Sequence, residues 1–150
     1  MNVAYFLIPK SQVGCICDDN TVRQGLEKIK RSGYSALPVV TRENRYVGSV
    51  SEGDFLWHLV QDDPYRNEEI KPISIRKTED ALVRDVLRID RNPPVRITAT
   101  IDQLVERAMN QNFIPVIDDL GSFIGIVTRR DIIRHFYEKD GSRLPKPEYA

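Results

Sequence analysis

The chain has 150 residues, 41% of them hydrophobic and 29% charged, which is typical of a soluble globular protein with one domain's worth of core. Its 22 basic residues balance its 22 acidic residues, and a net charge of zero argues against a large basic surface for nucleic acid. Because the sequence has no signal peptide and no long apolar run, neither export nor a membrane span is expected.

The sequence of residues 1–60 predicts a strand, a helix, two further strands and a second helix, in that order. The elements that we place are a short apolar element at 1–9, a helix from 22 to 33, strands at 36–40 and 46–50, and a helix that opens at 51–54. Polar residues 18–21 supply the helix cap, and Gly33 stands where a helix ends. Cys15 and Cys17 are too close in sequence to form a disulfide framework, so we expect a cytoplasmic protein.

The second half predicts the same series. Residues 61–80 are polar and interrupted by two prolines, and they are interpreted as a linker. The elements that follow are a lead-in helix at 83–87, a strand at 95–97, a helix from 101, strands at 113–117 and 123–127, a helix at 130–137, and a mobile tail at 139–150.

The two halves are copies of one unit. Residues 38–40 and 48–56 align without a gap on residues 115–117 and 125–133, at a spacing of 77. The shared pattern is Pro and two apolar residues, then an aromatic-apolar-Gly-x-Val-(Ser/Thr)-x-x-Asp segment. Such a duplication usually closes about a pseudo-twofold axis, and the cleft on that axis is a natural ligand site.

The repeated segments resemble the nucleotide motif of the CBS-domain family, in particular the tandem pair known as a Bateman module. The motif is Gly-Ile-Val-Thr-Arg-Arg-Asp at 125–131 and Gly-Ser-Val-Ser-Glu-Gly-Asp at 48–54. The resemblance implies an α/β fold of two β-α-β-β-α CBS units related by a pseudo-twofold axis. Its expected boundaries are residues 1–60 for unit 1 with its N-terminal lead-in, 61–80 for the linker, 81–138 for unit 2 and 139–150 for the tail.

The resemblance also implies an adenine-ligand site in the clefts between the units. Asp131 and Asp54 would accept hydrogen bonds from ribose hydroxyls, because a carboxylate offers two acceptor oxygens to a cis-diol. An ordinary first-turn role at a helix dipole is the alternative for both aspartates. The expected binding residues are Thr128, Arg129, Arg130, Asp131, Thr98, Phe113, Ile114, Pro115, Ser51, Asp54, Tyr34 and Leu37.

Within this set, Thr128 and Ser51 would touch ribose or phosphate, and Thr98 would help to hold the sugar-phosphate. The base would bond to the main chain near Ile114 and Leu37, just before Pro115 and Pro38.

The two motifs differ in charge. Arg129 and Arg130 follow Thr128, whereas Glu52 and Gly53 follow Ser51. Arginine pairs with phosphate through its forked donors and glutamate repels it, so the second motif is expected to be the better anion site. The alternative is that both arginines only cover a solvated surface.

Histidines and aromatic residues suggest no further chemistry. His58 and His135 each follow a motif aspartate by four residues, which favours a pair on a helix face, or contact with phosphate, over a metal site. For Trp57, Tyr34 and Phe113, packing in the core is the expected role, and stacking on adenine is the alternative.

No catalytic motif is present, so the sequence predicts a protein that is not an enzyme and that needs no cofactor or metal. We expect a stand-alone regulatory sensor of AMP, ADP or ATP that forms a homodimer and signals to an unidentified effector protein, without nucleic-acid or membrane partners. Cyclic di-AMP is an alternative ligand, S-adenosylmethionine ranks lower, and a ligand-free dimerisation or docking scaffold is the alternative of another class.

Overall fold

The computed structural model describes residues 2–61 and 79–139, and it contains two equivalent β-α-β-β-α series, as the sequence predicts. The predicted linker lies almost wholly outside the described residues, and so does the predicted tail beyond residue 139. The first series consists of β2 (Ile16–Cys17), α2 (Val22–Ser32), β3 (Ala36–Val40), β4 (Tyr46–Ser51) and α3 (Glu52–Gln61). The second consists of β5 (Val95–Arg96), α4 (Ile101–Asn110), β6 (Phe113–Ile117), β7 (Phe123–Thr128) and α5 (Arg129–Lys139).

Each series folds into its own sheet with the same topology. Strand β3 pairs in parallel with β2 and antiparallel with β4, and β6 pairs in the same way with β5 and β7. Both hairpins carry an irregularity at equivalent places, between Val39 and Val40 and between Val116 and Ile117. The repeat seen in the sequence is therefore a repeat of strand register.

The first helix of each unit begins with the same cap. The side chain of Thr21 accepts from the Gln24 amide while Gln24 returns a bond to the Thr21 amide, and Thr100 and Gln103 do the same. These reciprocal bonds satisfy amide groups that a helix start leaves free.

The same helices end differently. Gly33 closes α2 with a φ of 74°, a conformation that glycine adopts without steric cost. Helix α4 ends instead at Gln111, whose extended backbone leads directly into β6. The side-chain amide of Gln111 is buried and donates to the carbonyls of Pro93 and Phe113. The helix starts Thr21 and Thr100 are 79 residues apart, whereas the following strands align at 77, so the second copy is two residues shorter here. The structure shows that these two residues are removed at the helix end.

Each sheet is completed by a segment that precedes the other unit. Strand β1 (Ile8–Pro9) pairs antiparallel with β7, although it lies before the first unit in sequence. In the first sheet, Arg88 takes the equivalent position and exchanges two backbone hydrogen bonds with Ser49. The lead-in segments are therefore exchanged between the units.

This exchange explains the glycine in each motif. A Cβ at Gly48 would lie 2.7 Å from the Arg88 carbonyl oxygen, and one at Gly125 would overlap the Ile8 carbonyl oxygen. Real Cβ atoms do not approach a carbonyl so closely. The motif glycines make room for the crossing lead-in segments.

The cores follow the same exchange. The second core contains Val3 and Phe6 from α1 (Val3–Phe6), packed with Leu104, Ile114 and other second-unit residues. The first core contains Val83, which stands in a single 3-10 turn, Val83–Asp85. The prediction of a lead-in helix at 83–87 is therefore too long, and the predicted apolar element at 1–9 supplies Val3 and Phe6 to the second core.

A third apolar cluster joins the two units. It contains Val40 and Tyr46 from the first hairpin and Phe123 and Ile126 from the second. Asn44 links the two units through two hydrogen bonds. Its backbone carbonyl accepts from the Phe123 amide, and its side chain donates to the Phe123 carbonyl. In the described part of the chain, no helix is both long and apolar enough to cross a membrane.

Candidate functional site

A cleft of about 750 Å³ lies between the two units and receives residues from both motifs. It is lined at one end by Ser51 of the first motif and at the other by residues of the second motif. Of the predicted site residues, those that the structure brings together here are Tyr34, Leu37, Ser51, Phe113, Thr128, Arg129, Arg130 and Asp131. Its size lies within the range usual for small-molecule sites.

The second motif presents a free carboxylate to this cleft. Strand β7 ends at Thr128, whose hydroxyl oxygen accepts from the Asp131 amide at 3.2 Å and caps α5. The Asp131 side chain is half-buried, and among residues 2–61 and 79–139 no donor binds its carboxylate oxygens. In the first turn of α5, the negative charge of Asp131 interacts favourably with the helix dipole, and both carboxylate oxygens stay available to a ligand.

Arg129 and Arg130 line the same end of the cleft with different freedom. The Arg129 Nε donates to the Ala108 carbonyl at 2.6 Å, so this guanidinium is oriented by the end of α4. Arg130 is exposed, and no partner for it is found among the described residues. Arg130 is therefore the more available cation for an anionic group.

The first motif has the same cap but an occupied carboxylate. Ser51 and Asp54 exchange reciprocal bonds of 2.9 and 3.2 Å, and the Asp54 side chain is only 5% exposed. Arg91 Nη1 lies 2.9 Å from Asp54 Oδ2 and 3.1 Å from Ser51 Oγ. Arg88 Nε adds a longer contact of 3.8 Å to Asp54 Oδ1. Asp54 is thus held within the protein by two arginines.

Sequence reasoning missed Arg91, which lines the cleft beside Asn92. It stands in the segment that leads into the second unit and belongs to no motif. Comparison of the two repeats could have identified this residue. At a spacing of 79, Arg91 aligns with Gln12, which also lines the cleft, so only the second copy has a cation at this position.

Several predicted site residues lie away from the cleft surface. Ile114 and Pro115 are buried in β6, and Asp54 does not line the cleft, although Ser51 and Arg91, to which it is bonded, do. Thr98 is exposed in a separate polar depression beside Thr100 and Arg107. A ligand contact by Thr98 stays a prediction that this geometry does not favour.

The aromatic residues do not all pack as expected. Trp57 is 60% exposed and Tyr34 is 61% exposed, so the expectation of a core role is wrong for both. Phe113 is half-buried against the inter-unit cluster and also lines the cleft. Tyr34 and Phe113 face the same cleft, where a planar base could lie against either ring.

The second histidine packs among rings instead of facing phosphate. His135 contacts Phe6 at a centroid distance of 5.2 Å, Tyr5 at 5.6 Å and Phe136 at 5.6 Å. Over residues 2–61 and 79–139 there is no group of three or more potential ligands placed to hold a metal ion.

The family model of the CBS domain matches two segments of the chain, residues 7–61 and 79–138. The chain belongs to the CBS-domain family. The matched segments are the two repeats. The two sheets, each completed by the lead-in segment of the other unit, and the cleft between the units are therefore the architecture of a CBS pair.

Known proteins and solved structures resemble the chain over most of its length. An uncharacterized protein of Methanocaldococcus jannaschii is 25% identical over 142 residues, covering 79% of this chain and 82% of that protein. A crystal structure of CbpB in complex with cyclic di-AMP has a TM-score of 0.79 at 22% identity and covers 92% of this chain and 85% of that one. CBSX2 in complex with AMP has a TM-score of 0.70 at 23% identity, with coverages of 93% and 98%. At these identities, the two structures show that the fold is shared.

Proposed function

We propose that this CBS pair is a regulatory sensor that binds an adenine nucleotide at the Asp131 end of the cleft. The observation that carries the proposal is the half-buried Asp131 carboxylate, which has no protein donor within the described residues and lies beside Thr128 and Arg130. A carboxylate accepts from a ribose diol, and an arginine pairs with phosphate. The two groups suit the two polar parts of AMP, ADP or ATP.

The fold-mates support this ligand class. CbpB holds cyclic di-AMP and CBSX2 holds AMP, and both ligands contain an adenosine unit with phosphate. The function proposed is regulatory, and no catalytic step is assigned to the chain. Its output would pass to an effector protein through a difference in nucleotide affinity between two states of the module. We place this sensor in the cytoplasm.

Cyclic di-AMP is the second candidate ligand, and one feature of the cleft favours it. The same cavity is lined by Ser51 of the first motif and by Thr128 of the second, which are equivalent at the repeat spacing of 77. A ligand made of two identical nucleotides would present an adenosine to each unit. Arg130 would be available for one of its phosphates, and Arg91 would face the other after leaving Asp54.

A homodimer is proposed from two matching apolar helix faces. Leu56 on α3 and Ile133 on α5 are 55% and 56% exposed, and they are equivalent at the repeat spacing of 77. Each borders an apolar groove between the two helices of its unit. A second copy would offer the same pair of faces, so an isologous contact could cover both grooves.

Titration calorimetry tests the sensor proposal. The protein is titrated with AMP, ADP, ATP and cyclic di-AMP, and the measurements are repeated on Asp131→Ala. The control is Asp102→Ala, which removes an acidic residue from the first turn of α4, outside the cleft.

We expect one of these ligands to bind the wild type and Asp102→Ala equally, and binding to fall at least about tenfold in Asp131→Ala, the size of one lost charged hydrogen bond. Absence of heat for all four ligands would reject the sensor and leave the ligand-free docking scaffold as the account of the module.

A further inference from the structure

Arg91 occupies the groups of the first motif that a ligand would need. Its Nη1 donates to both Asp54 Oδ2 and Ser51 Oγ, at 2.9 and 3.1 Å. These atoms correspond to the carboxylate and hydroxyl that Asp131 and Thr128 offer in the second unit. A nucleoside that entered at this end of the cleft would have to displace the guanidinium from a carboxylate that is 5% exposed.

The segment that carries Arg91 is fastened in place. The side chain of Asn92 donates to the buried Ser49 hydroxyl at 3.1 Å, and the Asn92 backbone carbonyl accepts from the Tyr46 hydroxyl at 2.7 Å. Arg88, three residues before Arg91, exchanges backbone hydrogen bonds with Ser49. The guanidinium is therefore held between two anchored points rather than carried on a free loop.

The equivalent position in the other half carries no charge. Gln12 matches Arg91 at the repeat spacing of 79 and lines the same cleft, and in the described residues it makes no bond to Asp131. Besides the charge difference between the motifs, one side chain at this position thus closes one carboxylate, and its counterpart leaves the other free.

We propose that Arg91 closes a latent nucleoside site at the first motif, so that each chain binds one ligand, through Asp131. This inference rests on the proposed function. Replacing Arg91 by glutamine would remove the guanidinium from Asp54 Oδ2, which would still accept from the Ser51 amide, and Arg88 would still contact Oδ1. Because Glu52 follows Ser51, the opened site would favour an uncharged nucleoside such as adenosine over AMP.

The test is a gain of binding in a background where the second site has been removed. Adenosine is titrated calorimetrically into Asp131→Ala, into Asp131→Ala/Arg91→Gln, and into Asp131→Ala/Arg88→Gln. The Arg88 variant is the matched control, because Arg88 also contacts Asp54 but does not line the cleft. Thermal unfolding of each variant is recorded in parallel.

We expect one adenosine per chain in Asp131→Ala/Arg91→Gln and none in the other two variants. A folded Arg91→Gln double variant that takes up no adenosine would overturn the inference. It would also be overturned, without any variant, by a wild-type chain that binds two AMP molecules. If the wild type binds none of AMP, ADP, ATP and cyclic di-AMP while the Arg91→Gln double variant binds adenosine, the proposed function is rejected and the closure by Arg91 stands.

Discussion

At the scale of single residues, Tyr46 links the cleft to the pH dependence of stability. Its hydroxyl donates to the Asn92 carbonyl, next to Arg91, and burial raises the pKa of Tyr46 above its ordinary value. The folded chain therefore holds the phenolic proton more tightly than the unfolded chain does.

The first prediction concerns this proton. Above about pH 10, where an unfolded tyrosine loses its proton, the unfolded state binds fewer protons than the folded state, so the free energy of unfolding falls as pH rises. This contribution is complete below that pH. Tyr46→Phe should cost about 1 kcal/mol near neutral pH through the lost hydrogen bond.

The same variant should flatten the alkaline decline, as measured by urea unfolding at a series of pH values. Tyr34→Phe removes an exposed hydroxyl and serves as the control. An unchanged alkaline slope in Tyr46→Phe would contradict the prediction.

The second prediction concerns the motif glycines. Gly125→Ala and Gly48→Ala would force a Cβ against the carbonyls of Ile8 and Arg88, and overpacking of this kind costs about 1 to 3 kcal/mol. Gly53→Ala is the control: its Cβ would meet nothing nearer than 3.6 Å, and alanine is the better helix former by about 1 kcal/mol. If denaturant unfolding shows that all three substitutions are equally tolerated, the crossing of the lead-in segments is refuted.

Residue-level prediction from the sequence succeeds where the motif repeats and fails where the copies differ. The sequence predicts a helix that opens at 51–54 and another from about 130, and both are found, with Ser51 and Thr128 as their caps. Contact of these two hydroxyls with ribose or phosphate stays a prediction. Arg91 belongs to no local pattern. Its contact with Asp54 joins residues 37 apart, and only the folded chain brings them together.

At the scale of elements, the short helix α1 stabilises the second unit although it precedes the first. Val3 is fully buried and Phe6 is 6% exposed, and both belong to the second core. Strand β1, which follows, is hydrogen-bonded to β7. The N-terminal residues are therefore part of the second unit's packing.

The third prediction follows from this position. Phe6→Ala should cost about 3 to 5 kcal/mol, as truncation of a buried phenylalanine usually does. Hydrogen exchange should quicken in β5, β6 and β7 more than in β2, β3 and β4, because the cavity opens in the second core. Leu120→Ala, at an exposed turn, is the control and should change stability by about 0.5 kcal/mol or less. Equal acceleration in both sheets would be inconsistent with this assignment.

The sequence predicts the regular elements well because each carries local signals. Capping residues, the alternation of apolar and polar positions, and the turn residues between β3 and β4 all act within a few positions. The exchange of lead-in segments has no such signal. Strand β1 is two residues long, and its partner Ile126 lies 118 positions away in sequence, so only packing in the folded chain selects this pairing.

At the scale of the whole molecule, the module has matching outer faces and an asymmetric cleft. Leu56 and Ile133 repeat on the two helix faces, whereas Arg91 and Gln12 break the symmetry inside. The outer symmetry suits assembly with a second copy. The inner asymmetry suits a single regulatory ligand.

The fourth prediction tests the assembly. Leu56→Asp and Ile133→Asp each place a charge in an apolar groove, so either change should turn a dimer into a monomer in sedimentation equilibrium. Leu120→Asp lies at an exposed turn, outside both grooves, and should leave the mass unchanged. A wild-type chain that sediments as a monomer at high concentration would reject the homodimer.

The central claim is that the cleft takes its nucleotide at Asp131, with the Asp54 end closed. A crystal structure of the protein grown with AMP tests this most directly. We predict one nucleotide per chain, with its ribose on the Asp131 carboxylate, its phosphate near Arg130, and Arg91 still bonded to Asp54. An empty cleft at saturating AMP, or a nucleotide on Asp54 with Arg91 displaced, would contradict the account.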